Sequence, residues 1–531
     1  MYTQNTQKLI ERLKKSDLKV IYPDSEAKVQ VDAFVSKIAN IYEKIRNAID
    51  YKEDHLFRKA AIFRILQRRM VIKVSIEDLA PALVKELIRA GYLENNLIPT
   101  AKVEEINGII DKYITLFNLS GAKKNGVNGS QMFKWILEVC ACEIEEALVP
   151  PIAGKALVQF MYQVMKPKVE IVDRNLTDKL KDLHIYLAIN RAVVKSDDAM
   201  MDFLLLKYYV NDWIMADKIK LMEVAKKIIN LKAEIDRQKK YYVADRLFRM
   251  FKKYTFAFFV LRDVILNNPA KAEEILNNPE KLEYQIRDIC QKSYKASRIK
   301  IRRSIVRVTI YIFLTKMLLI LLMELPYDKY IAHQVNNTAL AINALFPPLL
   351  IFILGMFIKI PSKKNTNRVV SLVSDMVYKN TISDAKKGFG IKVKRRGLFN
   401  IIFYILYLAL FAFSFGVIIY FLDRLYFNPF SMGIFLLFLS VVSFFGIKMR
   451  MKARELMVVD RKENPFVFLV NLFTLPFLNA GHWLSEKFSK INVFVFILDF
   501  IIEAPLKIFL EVIEDWIDFL REKKEEIYSK Q

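Results

Sequence analysis

The chain has 531 residues, enough for two to four folded units at roughly 150 residues each. Its 14 Gly and 16 Pro fall well short of ordinary usage, and three cysteines cannot build a disulfide framework, so turn-rich all-β and disulfide-stapled scaffolds are excluded. Lys and Arg outnumber Asp and Glu by 82 to 57, for a net charge of +25, and where that excess sits decides between a nucleic-acid binder and a membrane protein.

The N-terminal stretch MYTQNTQKLIERLKKSDLK is amphipathic and lacks the continuous apolar core of a secretory signal, which predicts that the region up to residue 303 stays in the cytosol. That region reads as successive helices. SEAKVQVDAFVSKIANIYEKIRNAI predicts a helix from Ser25, with Val31, Phe34, Ile38, Ile41 and Ile45 on one face. SIEDLAPALVKELIRAGYL predicts another, with Ser75 and Asp78 as a weak capping box and Gly91 as its stop. QMFKWILEVCACEIEEALV and DKLKDLHIYLAINRAVV follow the same pattern. The glycine-dense GAKKNGVNGS predicts a linker over 121–130 between two helical subdomains, 1–120 and 130–303. It lacks the Lys and hydroxyl of a phosphate loop. TFAFFVL, from Thr255 to Leu261, is too short to span a bilayer and is expected in a core.

A bilayer core needs about 20 apolar helical residues. Four runs supply them, at 304–324, 338–358, 399–422 and 428–447. The basic residues alternate with them: RIKIRR precedes the first run, and the loop 361–398 holds ten Lys or Arg. KMRMKAR follows the fourth run, whereas the two intervening connections hold one basic residue each. Since Lys and Arg mark cytoplasmic loops, the pattern predicts four spans with both termini in the cytosol.

The tail, 448–531, is expected to be cytosolic or interfacial. The apolar run between Pro465 and Pro476 is read as too short to span, with Trp483 as an interfacial anchor. In INVFVFILDFIIEAPLKIFLEVIEDWIDFLREKKEE, Asp499, Glu503, Lys507 and Glu511 recur at four-residue steps on one helix side. A span here would bury charges at about 2.5–3.5 kcal/mol for a central Asp. An amphipathic helix, kinked or divided at Pro505, avoids this. From Asp499 to Glu526 there are nine acidic and four basic residues, so docking on the protein's own basic cytosolic surface is preferred to an interfacial position or a fifth span.

Lys316, near the middle of the first run, is the leading candidate for chemistry, because an ionisable group at that depth is functional by default. Either Asp499 or Glu503 would be its intramembrane partner, or it snorkels toward Glu324, eight residues and about 12 Å on. Pro347 and Pro348 are expected to interrupt the second span, by a simple kink or as in the broken helices of transporters. KKYYVADRLFRMFKKYTF interleaves aromatics with Lys239, Lys240, Arg246, Arg249, Lys252 and Lys253, a combination that can grip nucleic acid but equally suits a solvated helix. His55, His184, His333 and His482 are scattered, and no metal site, cofactor or pairing of nucleophile with base is read.

The resulting reading is an all-α, polytopic inner-membrane protein of a prokaryote: a non-enzymatic scaffold or adaptor whose cytosolic helical region meets a protein partner while its spans meet lipid. A transporter or membrane enzyme using Lys316, and a membrane-tethered RNA or ribosome binder, are the alternatives.

Overall fold

A computed structural model of the chain is all-α and 84% helical. It describes residues 1–17, 27–49, 53–71, 76–121, 127–173, 176–333, 335–358, 361–382, 389–392, 399–459, 465–490 and 504–529. In chain order the first elements are α1 (Gln4–Asp17), α2 (Ala33–Ile49), α3 (Asp54–Val71), α4 (Ile76–Arg89), α5 (Thr100–Leu119), α6 (Val127–Leu148) and α7 (Ile152–Met165). After strand β1 (Val169–Val172) come α8 (Asp178–Val193), α9 (Asp198–Tyr209), α10 (Lys218–Lys239), α11 (Tyr242–Lys252), α12 (Thr255–Asn267) and α13 (Ala272–Asn277). The long α14 (Pro279–Leu319) continues through a π-helical turn (Ile320–Glu324) into α15 (Leu325–Tyr330). The remainder comprises α16 (Asn337–Met356), α17 (Lys363–Lys379), strand β2 (Phe389–Lys392), α18 (Phe399–Arg424), α19 (Pro429–Arg454), α20 (Pro465–Lys490) and α21 (Ala504–Ser529).

The chain forms two compact units. The N-terminal unit comprises Lys8–Pro167, Asn175–Phe251 and the tail Val493–Gln531; the span unit comprises Met1–Gln7, Lys168–Arg174 and Lys252–Asn492.

In the N-terminal unit, helices with one apolar side meet in a single core. Leu83 and Leu87 of α4, Ile106 and Ile110 of α5, Ile144 of α6 and Leu205 of α9 are all fully buried in it. One buried core takes residues from both α5 and α6, and α6 begins at Val127, within the glycine-dense stretch. Basic α3 crosses this core as a hub. Arg58 pairs with Glu145 of α6 at 2.6 Å, Lys59 with Asp197 before α9, Arg64 with Glu43 of α2 at 3.3 Å, and Arg68 and Arg69 with Glu86 of α4. Because Glu43, Glu86 and Glu145 are buried, each needs its cation, and the pairs fix which helix lies beside α3.

Local chemistry sets the helix ends. α2 starts at Ala33, not Ser25, because the Asp32 carboxylate accepts the Phe34 N–H at 2.8 Å and the Val35 N–H at 3.3 Å. Ser75 lies outside the described residues. Gly91 ends α4 as its sequence predicts: at φ +76 it lets the Tyr92 N–H reach back to the Leu87 carbonyl, and Asn40 fills the space a Cβ would need. α21 packs Leu506, Leu510, Ile513 and Ile517 against Val35, Ile38 and Ala39 of α2.

In the span unit, TFAFFVL forms the buried part of α12, and α17 sets Val369, Leu372, Val373 and Met376 in the same interior. Val169 to Val172 pair in parallel with Phe389 to Lys392, a minimal two-stranded sheet in an otherwise helical chain. Among the described residues, five helices are long and apolar enough to cross a membrane: Pro279–Tyr330, Asn337–Met356, Ile401–Arg424, Pro429–Arg454 and Val467–Lys487. The apolar run between Pro465 and Pro476, read as too short to span, lies within a longer helix. Pro476 sits inside one unbroken helix, α20, which presses Gly481 onto the Ser440 backbone of α19 and Phe473 and Phe477 onto Phe413 and Phe415 of α18. Neighbouring helices tolerate a proline where they supply the packing that holds the kink.

Candidate functional site

The first span carries its lysine on α14, and the π turn that follows decides the partner. On a regular helix residue 324 would lie about 80° around the axis from residue 316. A π turn closes i→i+5 bonds and turns less per residue, so five such residues remove most of that offset. Lys316 Nζ donates to Glu324 Oε1 at 2.6 Å, and both side chains are 0% exposed. Asn343 of α16 donates to the second carboxylate oxygen at 2.7 Å and lies 3.5 Å from the Ser431 carbonyl of α19. The ring of Phe438, also on α19, sits 4.8 Å from the ammonium. Three helices therefore close around one ion pair.

Lys316 thus reaches Glu324, but as an enclosed counterion rather than by stretching past it into water; Asp499 and Glu503 lie outside the described residues. One turn beyond, buried Asp328 accepts from Asn428 at 2.5 Å, and Asn428 also caps α19 by accepting the Ser431 N–H at 2.7 Å. Asn343, Asp328 and Asn428 were not singled out by the sequence reading, which named Glu324 only as the end toward which Lys316 would snorkel. The signal was there, since Asn343 is a lone amide deep in an apolar run.

Pro347 and Pro348 do not interrupt their span: α16 continues through both. They free the carbonyls of Asn343 and Ala344 from helical bonding, at the height where Asn343 faces the pair. The Asn343 Oδ1 itself has no hydrogen-bond donor among the described residues. Pro505 stands in the first turn of α21, where its missing N–H leaves no bond unmade, and Trp483 is 58% exposed on α20.

The basic and aromatic stretch is largely engaged within the fold. Lys239 pairs with buried Asp202 at 2.6 Å, Arg246 lies 5.7 Å from the Tyr242 ring, Arg249 donates to the Asp245 carbonyl, and Lys252 pairs with Glu455 at 3.2 Å. Lys253 lies 5.7 Å from the Tyr254 ring, while Lys240 is exposed.

The N-terminal unit has a polar cluster of its own. Lys112 bonds Glu143 and the Trp213 carbonyl; Glu143 Oε2 takes the Tyr113 hydroxyl at 2.7 Å and the Trp213 indole N–H at 3.1 Å. A cavity of about 550 Å³ opens beside it. Burial, reinforced by Glu143, pushes the Tyr113 phenol well above its ordinary range, so it remains a donor. Burial likewise pushes the Cys140 and Cys142 thiols up, leaving both unreactive. No group of three potential metal ligands occurs among the described residues. No protein-family model, curated protein or solved structure matches the chain.

Proposed function

We propose that the chain is a membrane-anchored scaffold that presents a folded helical unit on the cytosolic side of a prokaryotic inner membrane. The observation that carries this is the state of the charges inside the spans. Lys316 and Glu324 are fully enclosed, and both carboxylate oxygens are occupied, so the cluster works as a fastener between α14, α16 and α19 rather than as a station for a passing ion.

The threading belongs to the same proposal. Near the start of the chain, Thr3 and Thr6 bond the Val377 carbonyl of α17, and β1 pairs with β2, both inside the basic stretch between the second and third spans. At the end of the chain, α21 packs on α2. Segments before the first span, between the second and third, and after the last thus meet, which requires an even number of crossings. Of the five long apolar helices, α20 has the lowest mean hydropathy, 1.3 against 2.1–2.5, and we assign it as the one that does not complete a passage. The ten Lys and Arg of the basic loop make the shared side cytosolic.

The π turn and the unmatched Asn343 Oδ1 favour one competing reading, an ion or proton path, since mid-helix π turns recur at functional sites. Purified protein in liposomes loaded with a pH-sensitive dye separates the two. The scaffold reading expects no proton flux under a pH gradient. Flux that is abolished in Glu324→Gln would overturn it.

A further inference from the structure

α21 has three sides. Leu506, Leu510, Ile513 and Ile517 form the side that packs on α2, where Leu510 is 2% exposed. Roughly 110° around the axis, at 100° per residue, lies a second apolar side. It carries Phe509, Val512, Trp516, Phe519 and Leu520, 47–61% exposed. The third side holds the positions of Glu511, Glu514, Asp515, Asp518 and Glu522. Lys523 falls in line with the second side, its ammonium 5.8 Å from the Phe519 ring. The acidic positions of α21 thus share one side, and Lys523 lies in line with the exposed aromatics.

We propose that this second side rests in the headgroup region of the chain's own bilayer, so that α21 holds α2 with one side, lipid with another, and water with the third. Three features identify the occupant. The tether is short: α20 ends at Lys490 and α21 begins at Ala504, so about 3.5 Å per residue keeps α21 within ~50 Å of a membrane helix. Trp and Phe with a flanking Lys are the composition that settles at the headgroup level. An apolar stripe of this size on a folded surface marks an interaction site. The proposal rests on the reading that tail and N-terminal region share the cytosolic side.

The native cysteines are all buried, so an introduced surface thiol can be labelled alone. Full-length Val512→Cys, Trp516→Cys and, as control, Asp515→Cys are labelled with an environment-sensitive dye in vesicles of phosphatidylcholine and phosphatidylglycerol. At positions 512 and 516, lipids bearing a nitroxide just below the headgroup should quench several-fold more than at 515, and aqueous iodide several-fold less. Iodide access at 512 and 516 equal to that at 515 would overturn the proposal. So would protection from both quenchers, which means a protein cover, or homodimer cross-linking through Val512→Cys, which means a second copy. Cross-linking Ala39→Cys to Leu510→Cys tests the underlying reading separately: its failure removes the shared side, whereas its success with iodide-exposed 512 and 516 removes the lipid contact alone.

Discussion

Lys316 and Glu324 show what a single buried pair demands. Removing one partner leaves an uncompensated charge and is expected to destabilise by about 3–5 kcal/mol, whereas replacing both with apolar residues of similar size is close to neutral. Lys316→Met should therefore lower the thermal midpoint of the detergent-solubilised protein clearly, and Lys316→Met with Glu324→Met should recover most of the loss. Equal losses in the single and double variants would show that the pair is not coupled. His184 gives a second residue-scale test. It is 1% exposed and bonded to Gln238 at 3.0 Å, and burial holds its pKa below 6.5. A histidine neutral when folded but protonated when unfolded withdraws stability as pH falls below the unfolded value. Burial also raises Glu138, Glu145 and Asp202, whose contribution runs the opposite way, and lowers His55, which adds to the trend. The informative quantity is thus the difference between His184→Gln and the parent in denaturant titrations above and below pH 6.5: the variant should lose less stability on acidification. Lys316 was legible in the sequence as a charge in an apolar run. Its partner was not, because spacing on a regular helix points residue 324 elsewhere and nothing in ILLME announces a π turn.

Among elements, legibility followed periodicity. The long amphipathic helices α4, α6 and α8 and the stop at Gly91 follow from sequence pattern and the chemistry of helix ends. α20 did not, because two prolines and several polar residues mask a continuous helix that only packing against α18 and α19 sustains. Small residues let such helices approach closely. A Cβ at position 481 would lie 2.1 Å from the Ser440 carbonyl oxygen, a backbone atom that cannot step aside. At Gly446 the obstacle is Leu354 Cδ1 at 2.8 Å, the free end of a side chain that can change rotamer. Gly481→Ala should accordingly disrupt the α19 and α20 contact and lower the thermal midpoint in detergent, while Gly446→Ala should be tolerated. The reverse order would mean that α20 does not lie against α19 at Ser440.

For the whole molecule, the proposed threading turns on the parity of membrane crossings, on which contacts bear and hydropathy does not. Sequence and structure disagree on the number of candidate spans, because a window average sees only length and apolar content, and α20 meets both criteria. The packing of α21 on α2 constrains what any such count may be: a chain that enters the bilayer after one region and returns to that region crosses an even number of times. Five crossings would carry the tail, with Asp515 and Trp516, to the side of the membrane opposite α2 and separate Leu510 from Val35 and Ala39, against which it packs. Single thiols introduced at Tyr426 and Ile331, beyond the ends of the spans, should react with a membrane-impermeant maleimide on intact cells, whereas Asp515→Cys and Lys363→Cys should react only after permeabilisation. Labelling of Asp515→Cys but not of Lys363→Cys on intact cells would require an odd count, and the packing of α21 on α2 would then have to be abandoned with it. Labelling of Lys363→Cys but not Tyr426→Cys would invert the whole arrangement, against the ten cations of the loop that would then have had to cross.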